Sequence, residues 1–190
     1  SKLNLTGNAA ANALTGNAAA NTLNGGSGND TLIGGAGVDA LIGGLGNDTY
    51  IVALTTAGAL EDTISETGVL SSEIDTLKLT GTSTNTTAVT QSLSGSLANM
   101  EHFDISDTGS SKINLTGNAA ANVLTGNSAA NILNGSTGND TLGGGLGNDS
   151  LTGGTGIDYF LFNTTLGSTN IDTLTDFVHG TDKIVLDDDI

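Results

Sequence analysis

The aspartates with the most regular spacing in the chain each close a short glycine-rich segment. The segment reads Gly-Gly-x-Gly-x-Asp, with Ser136 replacing the second glycine of one copy, and it ends at Asp30, Asp39, Asp48, Asp140, Asp149 and Asp158. Within each group of three, the aspartates are nine residues apart. Carboxylates beside an unobstructed backbone supply side-chain and carbonyl oxygens together, which are the ligands that hard cations prefer. The pattern therefore indicates the chemistry of a bound hard cation.

Apolar residues keep the same nine-residue period and predict the element that positions these aspartates. Two series of anchors are present: Leu5, Leu14, Leu23, Leu32, Leu41 and Tyr50, then Leu115, Leu124, Leu133, Leu142, Leu151 and Phe160. A helix would instead repeat its apolar residues every three or four positions, and the residues between anchors favour turns. Each nonapeptide is predicted to form a turn and a short strand, so that two nonapeptides make one 18-residue coil.

A larger repeat of about 110 residues contains both arrays. Residues 1–50 and 111–160 are identical at 35 of 50 aligned positions, whereas residues 51–110 lose the nine-residue period. We therefore predict an all-β protein with two short rolls of parallel 18-residue coils, each roll followed by a β-rich cap. The predicted segments are a first roll at 1–50, a β cap at 51–80, a Thr/Ser-rich connector with strands at 81–110, a second roll at 111–160 and a C-terminal β cap at 161–190. Whether residues 51–110 continue the solenoid stays open at this point.

Stacked coils would place the repeated carboxylates close together. In an 18-residue coil Asp30 stacks on Asp48, and Asp140 stacks on Asp158. Their mutual repulsion at surface dielectrics is on the order of 1–4 kcal/mol per pair. A hard cation between them reverses the sign, and calcium accepts six to eight oxygens from carboxylates and carbonyls together. The residues thus predict calcium between turns on the same side of the roll.

The nonapeptide G-G-x-G-x-D-x-(apolar)-x resembles the RTX, or hemolysin-type, calcium-binding repeat over residues 23–50 and 133–160. Turns that end in asparagine, such as 7–12 and 117–122, resemble the weaker leading repeats of such proteins. Residues 172–186 resemble the segment that follows RTX rolls near the C-terminus of exported proteins. The resemblance implies a right-handed parallel β-roll and calcium as the bound ion.

The resemblance also implies a ligand set for each pair of same-side turns. The earlier turn gives its second and fourth carbonyls and its Asp, and the later turn gives its first and third carbonyls and its Asp. One site would use Gly26 O, Gly28 O, Asp30, Gly43 O, Leu45 O and Asp48. The equivalent site of the second array would use Ser136 O, Gly138 O, Asp140, Gly153 O, Thr155 O and Asp158.

Further sites would combine an aspartate with an asparagine. The pairs are Asp39 with Asn21, Asp149 with Asn131, Asp30 with Asn12, and Asp140 with Asn122. Asparagine offers only a neutral oxygen, so we expect these sites to be weaker or empty. Alternatively, the asparagine turns form starter coils that need no ion. A further ion at the C-terminal cap would use Asp172, Asp176 and Asp182.

Composition excludes several classes of function. The chain has 190 residues, 20 acidic side chains, 4 lysines and a net charge of -16, so nucleic acid and anionic membrane surfaces are not expected partners. It has no cysteine, and no apolar run approaches the ~18 residues that span a membrane. It also has no G-x-S-x-G, P-loop or H-E-x-x-H motif. We therefore expect neither catalysis nor membrane insertion.

Two functions compete. The tandem 110-residue unit favours a calcium-dependent structural or adhesive segment of a surface-layer, filament or adhesin type. By resemblance it would be a bacterial protein, extracellular or at the cell surface, that folds on calcium after type I export without an N-terminal signal. Its partners would be calcium ions and, through self-assembly, neighbouring repeat units. The 172–186 segment favours the alternative, the C-terminal calcium-binding secretion and folding module of an exported hydrolase or toxin.

Overall fold

The structure, a computed structural model, describes residues 1–66, 72–165 and 167–186. Its strands alternate between two walls and pair in parallel with the strands one coil away. One wall is a nine-stranded sheet, formed in order by β2 (Ala13–Thr15), β4 (Thr31–Ile33), β6 (Thr49–Ala53), β8 (Thr76–Thr80), β10 (His102–Asp107), β12 (Val123–Thr125), β14 (Thr141–Gly143), β16 (Tyr159–Phe162) and β18 (Lys183–Leu186).

The opposite wall consists of two sheets. The first contains β1 (Asn4–Thr6), β3 (Thr22–Ser27), β5 (Ala40–Leu45) and β7 (Thr63–Ser65). The second contains β9 (Val89–Ser92), β11 (Ile113–Thr116), β13 (Ile132–Asn134), β15 (Ser150–Thr152) and β17 (Thr173–Leu174). Helix in the described ranges is limited to a 3₁₀ turn at Gly95–Leu97, so nothing described there could cross a bilayer as a helix.

Strand registers confirm the predicted all-β parallel roll. Leu5 pairs with Leu23 and Leu14 pairs with Leu32, which is one coil per 18 residues. Leu133 pairs with Leu151 in the second array at the same spacing. Each anchor therefore stacks on the anchor two nonapeptides away, as the period requires.

The region between the arrays continues the solenoid. Tyr50 pairs with Leu77, Leu77 with Phe103, and Phe103 with Leu124, so the nine-stranded wall passes through residues 51–110. Only the opposite wall is interrupted, between β7 and β9. The two rolls are thus joined end to end. The five segment boundaries stay a prediction, and strand pairing crosses them.

The anchors fill the narrow interior between the walls. Those with no exposed surface are Leu23, Leu32, Leu41, Tyr50, Leu124, Leu133, Leu142, Leu151 and Phe160, with Leu77 and Phe103 from the intervening region. Full burial of a leucine contributes about 1.5–3 kcal/mol. Because each side chain packs on those above and below it, the stack ties every coil to its neighbours.

A leucine inside this stack should be far more sensitive to truncation than a leucine outside it. We expect Leu124→Ala to lower the free energy of unfolding by about 2–5 kcal/mol, because it leaves a cavity between fully buried neighbours. The matched control is Leu146→Ala, since Leu146 is 49% exposed in a turn, and we expect it to cost less than about 1 kcal/mol. Urea unfolding in saturating calcium measures both, and equal losses would contradict the stacked interior.

Candidate metal centre

The repeated aspartates form hydrogen-bonded ladders along the corners of the roll. Each lies just before a strand and is buried, with Asp30 and Asp48 both 1% exposed. One carboxylate oxygen of each accepts the backbone N–H of the residue one coil earlier. Asn12 N donates to Asp30 Oδ1 and Asp30 N donates to Asp48 Oδ1, both at 2.7 Å. The spacing of 18 residues therefore does bring these carboxylates into one column.

Four such ladders occupy the described coils. We define the first ladder as Asn12, Asp30, Asp48, Asp75 and Glu101, and the second as Asn21, Asp39 and Asp62. The third contains Asn122, Asp140, Asp158 and Asp182, and the fourth contains Asn131, Asp149 and Asp172. Every asparagine–aspartate pair expected from the sequence is an adjacent pair within one of these ladders.

The other carboxylate oxygen has no hydrogen-bond partner. Among the described residues this holds for the buried Oδ2 atoms of Asp30, Asp39, Asp48, Asp62, Asp140 and Asp149. A buried polar group without a partner costs about 1–3 kcal/mol, and a charged one costs more. The ion pairs of the described chain involve Lys78 with Asp104 and Asp107, so no lysine neutralises the ladders. These six oxygens are therefore suited to a cation.

The glycines of the turn make room for these oxygens. A Cβ on Gly25 would clash with the Asp30 carboxylate, so the first glycine keeps open the space that the oxygen faces. The second position needs a positive φ, which is 106° at Gly26. Ser136 takes this position in the second array and still adopts a φ of 85°, a region that side chains other than glycine rarely enter. The turn backbone is thus kept even where glycine is missing.

The structure aligns the two turns of the first expected site. Gly26 pairs with Gly44 and Ser27 with Leu45, which aligns the two turns. The Gly28 N–H donates to the Leu45 carbonyl at 2.7 Å. A carbonyl oxygen has two lone pairs, so this bond leaves one free. Gly43 lies against the Asp48 carboxylate.

The second expected site has the same arrangement. Thr155 N donates to Ser136 O at 3.1 Å, and Gly138 N donates to Thr155 O at 2.9 Å. The Gly153 carbonyl lies 2.7 Å from the place that a Cβ on Gly135 would take, and the Asp140 carboxylate borders the same place. Two expected ligands therefore face one point. The donor set fits calcium at both sites, and ligation by these particular atoms stays a prediction.

In the asparagine turns, the side-chain oxygen accepts a hydrogen bond from the backbone of its own turn. Asn12 Oδ1 accepts the Asn8 N–H at 2.8 Å, and Asn21 Oδ1 accepts the Asn17 N–H at 2.7 Å. Asn122 and Asn131 repeat this bond in the second array. Their side-chain oxygens are already engaged within the turn, unlike the second oxygens of the aspartates. This geometry supports the starter-coil alternative, although it does not test ion binding.

A cluster that joins the last repeat aspartate of the first array to two carboxylates beyond the repeats was not anticipated from the sequence. One oxygen each from Asp48, Glu66 and Asp75 lies within 4.8 Å of the others, and the Tyr50 hydroxyl donates to Glu66. Glu66 occupies the register position of Gly43 in the next coil, since Ile42 pairs with Ser65. The cluster extends the first ladder beyond the last repeat and could hold a cation of the same class.

A signal for this cluster was present in the sequence. Residues 62–66 match residues 172–176 at the 110-residue offset, where Asp172 and Asp176 were considered as ligands. In the structure Asp176 accepts the N–H groups of Gly153 and Gly154 at 2.9 and 2.7 Å. Asp172 and Asp182 end the fourth and third ladders. An ion held by these three cap residues stays a prediction.

Burial and neighbouring carboxylates raise the pKa values of several ladder carboxyls. Burial, with neighbouring carboxylates adding to it, raises the pKa of Asp48, Asp62, Asp140 and Asp149 to about 6 and that of Asp75 to about 7. Burial also raises the pKa of Asp158. The site therefore resists ionisation without a cation, and a bound cation would favour the ionised form.

Comparison with known families accounts for this pattern of turns and ladders. The family model of the RTX calcium-binding nonapeptide repeat (4 copies), HemolysinCabind, matches residues 5–50, 114–142 and 125–160. This chain carries RTX calcium-binding nonapeptide repeats. A search of curated proteins finds no match. The RTX repeat is a calcium-binding motif, which supports calcium as the bound ion, and proteins with RTX repeats are generally exported.

The raised pKa values predict an unusual pH dependence for the metal-free RTX chain. A carboxyl with a folded pKa of about 6 and an unfolded pKa of 3.8 favours the folded state when protonated. This contribution is complete below pH 3.8 and is lost as pH rises through 6 to 7. We expect metal-stripped protein to be more compact in sedimentation velocity at pH 5 than at pH 7.5, and Asp107→Asn, a change at an exposed carboxylate, to keep that order. A metal-free chain that is more compact at pH 7.5 than at pH 5 would contradict the buried ladders.

Substitution of Asp48 should separate calcium affinity from metal-free stability. Asp48→Asn keeps an oxygen for the Asp30 N–H but removes a charge from the Asp48, Glu66 and Asp75 cluster. We expect calcium binding at the first ladder to weaken at least about tenfold, because ligand charge sets affinity. The metal-free fold should gain on the order of 1 kcal/mol from reduced repulsion. Calorimetric titration measures the first effect. The osmolyte concentration that folds half of the metal-free chain measures the second, with Asp107→Asn as the charge-matched control. Loss of stability without calcium would argue against repulsion.

Proposed function

We propose that this chain is a calcium-dependent structural or adhesive segment of an exported bacterial repeat protein. The observation that carries the proposal is the set of six buried carboxylate oxygens without partners, stacked along the corners of one roll. Without calcium, their desolvation and repulsion oppose the packing of the leucine stack. With calcium, the same oxygens become ligands, and the energy of binding becomes energy of folding.

The expected calcium affinities determine in which compartment the chain would fold. Extracellular calcium modules bind with Kd values of about 10⁻⁴–10⁻³ M. An ion concentration ten times Kd stabilises the folded state by about 1.4 kcal/mol per site. Several sites along one roll therefore add up to a large part of a domain's stability. In a cytosol poor in calcium the acidic chain would stay unfolded, which suits type I export, and it would fold at the cell surface or in the medium.

The continuity of the solenoid supports a structural role. The nine-stranded wall crosses from the first unit to the second, and at about 4.8 Å per strand it extends for about 38 Å. Units joined in this way lengthen one rod instead of forming separate domains. The interior of the described coils is filled by leucine and aromatic side chains. This packing supports the further proposal that the segment is not itself catalytic.

One observation favours the secretion-module alternative. Asp172 and Asp182 accept the N–H groups of Asp149 and Asp158, so the tail segment closes the third and fourth ladders. A folding module of an exported enzyme would need such a closed end, because it must fold by itself after export. The alternative and the structural role share the calcium mechanism but differ in assembly.

Sedimentation velocity tests the mechanism and separates the two roles. We expect a slowly sedimenting, expanded chain in chelator and a compact one in millimolar calcium, with millimolar magnesium unable to replace calcium. Ordered species larger than the monomer in calcium would support the structural role, and a monomer only would support the module. A chain that is already compact in chelator and does not change with calcium would overturn the coupling of binding to folding.

A further inference from the structure

The first coils of the two units have nearly the same sequence but different neighbours. In the second unit, β11 and β12 pair on one side with β9 and β10 and on the other with β13 and β14. In the first unit, β1 and β2 pair with β3 and β4. Among the described residues no strand pairs with the other side of β1 and β2. We call this side the starter face and define it by Leu3, Leu5, Asn8, Asn12 and Leu14.

Apolar residues of the starter face are exposed, although their equivalents are buried. Leu3 is 36% exposed, whereas Ile113, its counterpart 110 residues later, is 0% exposed. Leu5 and Leu14 are partly exposed. Their counterparts Leu115 and Leu124 are 1% and 0% exposed, because the coil that contains β9 and β10 covers them. The starter face thus exposes apolar residues at positions that are buried between coils in the second unit.

Asparagine side chains also differ between the two units in the contacts they make with a preceding coil. Asn118 Nδ2 donates to the carbonyls of Ala98 and Met100 at 3.0 and 2.8 Å, and Asn122 Nδ2 donates to Glu101 O at 3.3 Å. These bonds join the second unit to the coil before it. Asn8 and Asn12 are the same residues one unit earlier. Within the described ranges their side-chain oxygens accept bonds in the turn, and Asn8 itself is exposed.

Backbone bonds complete the junction in the second unit. Val123 N donates to Glu101 O at 2.9 Å, and on the other wall Val89 N and Leu93 N donate to the carbonyls of Lys112 and Thr116. The corresponding backbone groups of the first unit belong to Ala13, Lys2 and Thr6. They lie along unpaired strand edges, which are templates for a further strand.

We propose that the starter face docks another copy of the coil formed by residues 81–110, seated on β1 and β2 as β9 and β10 are seated on β11 and β12. Such a coil offers the carbonyls that Asn8 and Asn12 lack, two strands in register and an apolar side chain at the Phe103 position to cover Leu14. The junction would also be the same, since Ser110 is followed by Ser-Lys at 111–112 and Ser1-Lys2 repeats that pair. The starter face would recognise this partner through shape and hydrogen bonds and not through calcium, so docking is an interaction distinct from calcium binding.

A fusion tests the docking directly. A second copy of residues 51–110 is placed immediately before Ser1, which keeps the natural junction and adds a full set of preceding strands. Hydrogen exchange is then measured in saturating calcium by mass spectrometry. We expect the amides of residues 3–16 to exchange at least about tenfold more slowly than in the original chain, approaching the rates of residues 113–126.

Two control variants make the result specific. A fusion whose added copy carries Phe103→Asp should not protect residues 3–16, because the added coil then lacks its apolar contact. Asn8→Ala should cost more stability in the fusion than in the original chain, since only the fusion supplies carbonyls for its Nδ2. Unchanged exchange of residues 3–16 in the fusion would overturn the proposal.

Sedimentation velocity of the original chain tests whether a different occupant covers the starter face. Concentration-dependent dimers with protected residues 3–16 would mean that a second copy of this same end covers the face, which would also overturn the proposal. Both measurements are made on the calcium-loaded fold. Failure of docking is therefore distinct from failure of calcium-dependent folding, which the comparison of chelator with calcium detects independently.

Discussion

The structure depends on one conflict, between a column of buried carboxylates that repel one another and a column of leucines that attract. Both columns follow from the same nine-residue period, so a coil cannot stack its leucine without also stacking its aspartate. In six of the ladder aspartates one carboxylate oxygen accepts a backbone N–H from the coil before it, and the other is buried without a protein partner. The protein alone therefore leaves these oxygens unsatisfied, and a bound cation such as calcium would satisfy them.

Glycine has two separate roles in the turns, and both allow the aspartate column and the leucine column to form together. At Gly25 the missing Cβ leaves space for a carboxylate, whereas at Gly26 the backbone turns through a positive φ. Ser136 shows that the second task tolerates a side chain at an energetic cost, because its φ of 85° matches that of the glycines. At the first position all six Asp-ending turns carry glycine, since a Cβ there would clash with the aspartate carboxylate of the same turn.

Much of this could be read from the sequence because the repeats are uninterrupted. The period predicts the parallel roll, the pairing of Leu5 with Leu23 and the column that contains Asp30 and Asp48. The same reasoning could not find Asp75 or Glu66, since the coils that contain them are 27 and 23 residues long where they pair with the repeats. Once an insertion changes the coil length, spacing no longer indicates which residues stack. Only the 110-residue offset linked Glu66 to Asp176.

The order of turns gives each unit a direction. The first coil of each array has asparagine turns that satisfy their own hydrogen bonds and add no charge, so it can form before any ion binds. Aspartate turns follow, and each adds charge to a column that grows with the roll. Since a solenoid coil gains stability only from its neighbours, a neutral coil is the least costly place to begin stacking. In the second unit that neutral coil packs on β9 and β10, so the second roll begins directly on the coil that ends the first unit.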